Sequence, residues 1–472
     1  MAVFYVGARR PRWECSCEAA DSAWDGGSAR SIDKDWRDMI RRLATKPVWL
    51  IVAPAVVSFV VWAIPWPAGI RRGYAVKEVL SGSAALVLLS WYCLCALSGL
   101  AGWVVGKSCP PLRRLNEAAD LDVYRVLTWI GGLGLLGTYA LVQYRSPGLL
   151  VRAFQEHQFD LVRNQIPLSA GIQTLRYATI PTGAIALHGM VMRRERSGVH
   201  VLNIGLLLMN VLLASRLALL MALLLFVGLV VVRGRGVAKL PRRRVHTRLR
   251  LMLLVIAAFA TLVLANYSRN ANFYEQYYHT NNPLTMMLDE TVAYVGSPTQ
   301  VAVGTANAVE AGRNPASTEP IAQNTLQQML PTFLSPAPGP HQLQQVNWYR
   351  ATVSVDATLN SNSSLAAGYG MLGLWAFPAM AFTSAVAGFG MGHLGRYKSF
   401  MVLGSFVLGY CFLEVWRVNL FNEGIVSFIL IALVISAAMR PKRGMTGSQS
   451  GQRRAIASVD VRMVPVALPQ GR

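Results

Sequence analysis

The chain has 472 residues, of which 53% are hydrophobic and 14% are charged, and its formal net charge is +22. Apolar runs long enough to cross a bilayer recur along it, which indicates an all-α polytopic integral membrane protein and not a soluble enzyme. The basic residues lie between the apolar runs and at the termini, with no stripe on one soluble domain. They therefore indicate membrane orientation and not nucleic-acid binding.

Hydropathy predicts ten transmembrane helices. They lie at about 47–66, 80–105, 126–144, 176–192, 199–214, 217–232, 251–266, 366–388, 399–416 and 424–439. The domain order is therefore a tail (1–46), seven helices (47–266), a large loop (267–365), three helices (366–439) and a basic tail (440–472). We expect both tails to be disordered, and Met39, followed by "IRRLATKPVWLIV", resembles a natural start more than Met1 does.

The distribution of the basic residues predicts the orientation of these helices. Most of the 45 Lys and Arg residues fall on the side that carries both termini, so the positive-inside rule places the N-terminus and C-terminus in the cytoplasm. Arg71, Arg72 and Lys77 fall on the opposite side and are the exception. On the cytoplasmic side, Asp120-Leu121-Asp122 is interpreted as a solvated loop and not as a metal site.

One arginine interrupts an apolar run. Arg216 lies within "LLASRLALLMALLL" (212–225), inside apolar sequence from about 199 to 232. A single helix over this run would be about 50 Å long, well beyond the roughly 30 Å hydrocarbon core. The run therefore predicts two short helices with a turn near Ser215 and Arg216 at the outer face. A guanidinium enclosed by apolar sequence there needs an anion or a water-filled cavity, so it is a functional-site hypothesis.

Three further arginines map to the same predicted side: Arg176, Arg350 and Arg417. With Arg216 they form a candidate clamp for a phosphate or diphosphate through bidentate hydrogen bonds. The alternative for each is contact with lipid headgroups, and for Arg417 also an i,i+3 pair with Glu414.

The segment 267–365 is far longer than a connector needs, and long loops of this kind are functional or disordered. Its stretch "NFYEQYYHTNNPLTMMLDETVAYVGSP" (272–298) is rich in aromatic and amide side chains, including Tyr278, Asn281 and Tyr294. These residue types suit sugar rings, and the equally weighted alternative is an interfacial aromatic belt. A Pro-rich stretch (330–342) is expected to join two helical parts of the segment.

A general base at this face has to be a carboxylate or a histidine. The candidates are His279, Asp289, Glu290, His341, Asp356 and Glu414. Spacing selects none of them. The sequence contains no metal-ligand cluster, nucleophile elbow or dinucleotide fingerprint, so no cofactor and no metal is expected.

Three features of the chain resemble the bacterial O-antigen polymerases and oligosaccharide repeat-unit polymerases (Wzy-type), to which the O-antigen ligases are related. "LLASRLALL" is similar to the Ser-Arg of that family, with Ser215 and Arg216 in the matching places. The long segment matches the main periplasmic loop. "NSNSSLAAGYGMLGLW" (360–375) is similar to an Asn-containing segment, at Asn360 or Asn362, that leads into a Gly-x-x-Gly helix start. Leu359 stands where ligases carry a histidine, which favours a polymerase.

The resemblance implies a metal-independent glycosyltransferase at the periplasmic face of a bacterial inner membrane. It would move a growing glycan from undecaprenyl diphosphate to a new lipid-linked repeat unit, for exopolysaccharide, capsule or O-antigen synthesis. A chain-length regulator and export machinery are the implied partners. The arginines would stabilise the departing diphosphate, and a carboxylate or His would deprotonate the acceptor hydroxyl.

Two other functions remain open from the sequence. A lipid-linked glycan transporter or flippase of this size would show internal repeats and polar residues near the span centres, whereas most candidate polar residues here gather at one face. A non-catalytic component of a polysaccharide-export complex would use the long segment as a docking surface. An acceptor-dependent transfer assay separates that component from an enzyme.

Overall fold

The structure is a computed structural model. It describes residues 46–67, 76–116, 120–155, 172–193, 197–213, 216–233, 282–313, 352–355 and 363–439, with isolated residues at 70, 74, 162, 256, 260–261, 263 and 275. Secondary structure in this described part of the chain is helical, with no strand. The all-α prediction is therefore confirmed for these residues.

Fourteen α-helices are described along the chain. They are α1 (Pro47–Ala63), α2 (Gly82–Ser108), α3 (Arg113–Asn116), α4 (Asp120–Arg145), α5 (Leu149–Gln155), α6 (Ile172–Leu175), α7 (Thr179–His188), α8 (Gly198–Leu212), α9 (Arg216–Arg233), α10 (Pro283–Glu310), α11 (Ser364–Leu372), α12 (Ala376–Leu394), α13 (Val402–Glu414) and α14 (Gly424–Ala438). 3-10 turns lie at Arg176–Ala178, Gly373–Trp375 and Leu420–Asn422, and a π-helical turn lies at Gly189–Arg193.

Within the described residues, three helical stretches are long and apolar enough to cross a membrane: Gly82–Ser108, Asp120–Arg145 and Ser364–Leu394. Shorter apolar helices accompany them, and large apolar side chains such as Leu97, Trp129 and Phe382 point outward. An apolar outer surface of this kind is compatible with a membrane protein. The count of ten spans stays a prediction, and most of the predicted span 251–266 lies outside the described residues.

Glycines allow α2 and α12 to pack against each other at backbone distance. A methyl group at Gly102 would lie 1.9 Å from the carbonyl oxygen of Ala385, and one at Gly388 would lie 2.1 Å from that of Gly99. Four residues further along each helix, Gly392 faces Trp103 as Gly388 faces Gly99, so residue numbers rise together and the two helices are parallel. Small residues in such a seam are typical of helix pairs in membranes, where close van der Waals packing replaces the hydrophobic effect.

The apolar run around Arg216 forms two helices. Helix α8 ends at Leu212, with Leu213 as its C-cap, and α9 begins at Arg216. The predicted break is therefore confirmed. The side chain of Arg216 lies outside the described part of the structure.

The segment predicted as a large loop contains the 28-residue helix α10, of which every residue from 296 to 306 is buried. Gln300 fastens α10 to the connection between α1 and α2. Its Oε1 accepts hydrogen bonds from Trp62 Nε1 (2.7 Å) and from the backbone N of Glu78 (3.1 Å). Its Nε2 donates to the carbonyl oxygens of Val76 (2.7 Å) and Ser354 (2.9 Å). This part of the segment is thus built into the helical core.

The interpretation of Asp120 as part of a solvated loop is wrong, because this residue lies in a helix. Asp120 begins α4 and pairs with Arg233 at the end of α9, with Oδ2 2.8 Å from Nη1 and Oδ1 3.3 Å from Nη2. Its Oδ1 also accepts from the backbone N of Phe400 at 2.8 Å. The carboxylate therefore ties α4, α9 and the residues before α13 together.

Candidate functional site

Arg176 begins a 3-10 turn between α6 and α7, and glycines of α4 position this turn. A methyl group at Gly134 would lie 2.4 Å from the backbone N of Arg176, and one at Gly131 would lie 2.9 Å from the backbone N of Thr179. Because no side chain stands at these two positions, the backbone of the turn rests directly on α4.

The side chain of Arg176 is buried, with 7% of its surface exposed. Its Nη2 is 3.4 Å from the hydroxyl of Tyr177, whose ring centre lies 5.1 Å from the guanidinium carbon. Nε and Nη1 are buried and have no hydrogen-bond partner in the described structure. An arginine stays charged in a protein, so these two donors call for an acceptor, preferably an anion. Burial also disfavours the alternative of contact with lipid headgroups.

Asn210 of α8 supports the Arg176 turn. Its Nδ2 donates to Thr179 Oγ1 at 2.9 Å, and Thr179 Oγ1 donates to the carbonyl oxygen of Arg176 at 2.7 Å. The hydroxyl of Tyr139 donates to the carbonyl oxygen of Met209 at 2.8 Å and lies within electrostatic range of the Arg176 guanidinium. Polar side chains of α7 and α8 therefore hold the backbone of the Arg176 turn.

A second polar cluster lies at the end of α13. Arg417 Nε donates to Glu414 Oε2 at 2.8 Å, which confirms the predicted i,i+3 pair, and the hydroxyl of Tyr410 donates to Glu414 Oε1 at 2.7 Å. The Arg417 guanidinium carbon lies 4.6 Å from the ring centre of Tyr294, which also meets Trp416 edge-on. Burial disfavours the charged form of Arg417, but the Glu414 carboxylate, together with Tyr294 and Tyr410, outweighs this effect, so the pKa of Arg417 is raised.

These contacts change the roles available to three predicted site residues. Tyr294, a candidate for sugar binding, is the stacking partner of Arg417. Glu414, a candidate base, has both carboxylate oxygens engaged, one of them by a cation. Arg417 gives only Nε to Glu414, so its two terminal nitrogens keep the geometry for an anion, with 19% of the side chain exposed.

Glu423 is a carboxylate that the sequence pattern did not single out. It precedes α14, and its side chain is accessible to solvent. The surrounding protein atoms nevertheless disfavour its charged form by desolvation and raise the pKa of Glu423 above its ordinary value. An accessible carboxyl group with a raised pKa is better suited to general-base chemistry than one held in an ion pair.

The structure places the predicted arginines on different elements. The turn that carries Arg176 and the helix that precedes Arg417 both pack against α14, and Arg216 begins α9. Asp289 is buried on α10 and Glu290 is partly buried. The other predicted site residues lie outside the described residues: Tyr278, His279, Asn281, His341, Arg350, Asp356, Asn360 and Asn362.

The Gly-x-x-Gly of the resemblance marks a helix boundary. Gly370 lies inside α11, and Gly373, with a positive φ of 56°, is the C-cap of α11 and the first residue of the 3-10 turn Gly373–Trp375, so the motif lies at the end of α11 and not at its start. Ser364, at the start of α11, accepts from Trp91 Nε1 at 3.0 Å and donates to the carbonyl oxygen of Val415. This contact joins α11 to the end of α13, two residues before Arg417.

Asn210 is a second residue that the sequence pattern did not single out. The signal available was a polar residue inside an apolar run, with Asn203 seven residues earlier on the same helix face.

Among the described residues, no group of three or more His, Cys, Asp or Glu side chains could hold a metal ion. No family model matches the chain, and comparisons with curated proteins and with solved structures give no match.

Proposed function

We propose that this chain is an oligosaccharide repeat-unit polymerase of a bacterial inner membrane, with ten spans, both termini in the cytoplasm and the segment 267–365 on the periplasmic side. Its substrates are glycans linked to undecaprenyl diphosphate. The observation that carries the proposal is Arg176, a buried guanidinium whose Nε and Nη1 have no partner in the described structure.

The two anionic phosphates of a diphosphate can accept hydrogen bonds from these two donors. A guanidinium offers donors in a planar fork that fits phosphate oxygens, and the attraction is strongest where water is excluded. Arg417, with both terminal nitrogens unused by Glu414, and Arg216, at the start of α9, are the further candidates for the same diphosphate. Arg350 completes the predicted set.

In the proposed reaction, a hydroxyl of the acceptor sugar attacks the anomeric carbon of the donor glycan. A new glycosidic C–O bond forms while the bond to the diphosphate breaks, and undecaprenyl diphosphate leaves with both electrons of that bond. The proton of the hydroxyl passes to a base, for which Glu423 is our candidate among the described carboxylates. The arginines stabilise the charge that develops on the leaving group, a role that metals fill elsewhere.

The test is complementation of a strain that lacks the gene, with polymer analysed by gel and protein levels measured in membranes. Arg176→Ala and Arg176→Lys should both abolish long polymer at normal protein level, because Lys cannot reproduce a bidentate contact. Arg216→Ala and Arg216→Lys are expected to behave in the same way. Arg145→Ala, at an exposed arginine that ends α4, is the matched control and should be active.

Normal polymer from both Arg176 variants would reject the diphosphate contact. A transfer assay with purified protein, lipid-linked donor and lipid-linked acceptor then separates an enzyme from a transporter or an assembly component. Growth of the glycan in detergent, where no transport is measured, requires a polymerase.

A further inference from the structure

The amide of Asn210 has a defined orientation. One neighbour of its Nδ2 is the carbonyl oxygen of Arg176, at 3.4 Å, and a carbonyl is only an acceptor. The other is Thr179 Oγ1, at 2.9 Å, whose own hydrogen is donated to that same carbonyl. Both positions demand the NH₂ group, so Oδ1 must point the other way.

Asn210 Oδ1 is thereby left as a buried acceptor. The residue has 0% of its surface exposed, and Oδ1 meets no donor in the described structure. Asn210 contacts the backbone carbonyl of Arg176, and the guanidinium of Arg176 has the opposite deficiency, with two buried donors that lack an acceptor in the described structure. Leaving such a buried polar group unsatisfied costs about 1–3 kcal/mol, so each of the two residues favours a ligand that supplies its missing partner.

The two demands differ in kind. Phosphate oxygens of a diphosphate diester are ionised at neutral pH, so they satisfy Arg176 but have no hydrogen to give to Asn210. A hydroxyl group donates and accepts, and it satisfies Asn210 Oδ1. The ligand that fits both residues therefore carries an anionic phosphate with a hydroxyl beside it, as in a sugar linked to a phosphate.

We propose that Asn210 Oδ1 accepts a hydrogen bond from a hydroxyl of the sugar that is attached to the diphosphate, and that Asn210 is thus a specificity-determining residue. This inference rests on the proposed function, because Arg176 must hold the phosphate. Bare undecaprenyl diphosphate, the product that leaves after transfer, has no sugar hydroxyl. Asn210 therefore distinguishes the loaded lipid from the spent one.

The chain offers a matched control on the same helix. Asn203 is also 0% exposed, donates through Nδ2 to the carbonyl oxygen of Val199 at 2.9 Å, and has a buried Oδ1 without a partner in the described structure. Its polar neighbours are Tyr124 and Thr128, and no arginine is among its contacts in the described structure. Asn203→Ala thus reproduces the loss of a buried amide at a distance from Arg176.

Binding to the full-length protein in nanodiscs tests the inference. The probes are undecaprenyl diphosphate alone and the same lipid carrying glucose, galactose or N-acetylglucosamine. The wild type should bind at least one sugar-bearing probe about three- to tenfold more tightly than the bare lipid, which is the value of one hydrogen bond. Asn210→Ala should remove this preference and retain binding of the bare lipid, whereas Asn203→Ala should retain both.

Thr179→Val tests whether Asn210 acts by binding the sugar hydroxyl or by supporting the Arg176 turn. It removes the hydrogen bond from Asn210 Nδ2 to Thr179 but leaves Oδ1 in place, so the preference for the sugar-bearing probe should survive. Loss of the preference in Thr179→Val, its persistence in Asn210→Ala, or a wild type without any preference overturns the inference. Arg176→Ala should weaken the binding of every probe. If it weakens none, or if the wild type binds none, the proposed function fails as well.

Discussion

At the scale of the residue, Glu414 and Arg417 depend on each other. Glu414 is 5% exposed, and Arg417 supplies its only cationic contact among the described residues. Arg417→Ala should therefore lower the free energy of unfolding by on the order of 3 kcal/mol, because it leaves a buried carboxylate without a counter-charge. Thermal unfolding in detergent measures the effect.

The double variant Glu414→Gln, Arg417→Ala provides the control for this prediction. Because no buried charge remains, it should be more stable than Arg417→Ala alone. A double variant that loses the sum of the two single effects would contradict the coupling.

The raised pKa of Glu423 predicts that the stability of the protein depends on pH. This pKa is raised in the folded protein, so the folded state holds the proton more tightly than the unfolded chain does. Stability should therefore fall as the pH rises from the ordinary carboxyl pKa through the raised one. Glu423→Gln removes this loss, so its melting temperature should exceed that of the wild type by an amount that grows with pH over this window. Parallel melting curves at all pH values would refute the assignment.

At the scale of the element, the Arg176 turn depends on a glycine of another helix. A methyl group at Gly134 would lie 2.4 Å from the backbone N of Arg176 and 2.5 Å from Leu175 Cβ, so the turn must move to accommodate it. We expect Gly134→Ala to lower stability by about 1–3 kcal/mol and to reduce polymer formation, because Arg176 is displaced.

Gly132→Ala is the matched control, two residues earlier on α4. Its methyl group would meet only Leu206 Cδ1, at 3.7 Å, which is an ordinary contact. Alanine is also the better helix former, so this variant should be neutral or slightly more stable. Equal effects of the two substitutions on melting temperature and polymer would show that the close approach at Gly134 is unimportant.

At the scale of the whole molecule, the proposed topology predicts which helix ends are open to each side of the membrane. In a variant without its six cysteines, Val79→Cys and Ser146→Cys should react with a membrane-impermeant maleimide in cells whose outer membrane alone is permeabilised. Ser197→Cys, before α8, should react only after the inner membrane is opened. Val79 is the most informative position, because it follows Arg71, Arg72 and Lys77, which do not obey the positive-inside rule in the proposed topology.

The opposite labelling pattern at all three positions would invert the molecule and place the arginines on the cytoplasmic side. Labelling of Val79→Cys from the cytoplasm alone would revise the side proposed for the first hairpin and the side proposed for α10. The two lie on the same side because Asn307 Nδ2 of α10 donates a hydrogen bond to the carbonyl oxygen of Val79.

The sequence by itself determined the helical class and the positions of the main helices, because hydropathy is a local property of the chain. It also determined the break before Arg216, since one helix over 199–232 would be too long for a bilayer. The i,i+3 pair of Arg417 with Glu414 could also be predicted from the sequence, because the two residues lie within one helical turn of each other.

Only the tertiary structure decided which of the arginines is buried with open donors and which polar residues surround it. Asn210 reaches Thr179 across 31 positions of sequence, and Gln300 reaches Trp62 across 238. No local pattern encodes such pairs. The burial of Arg176, the fastening of α10 in the core and the open acceptor of Asn210 all arise from contacts between distant segments, and a hydrogen-bond deficit becomes visible only once every neighbour is in place.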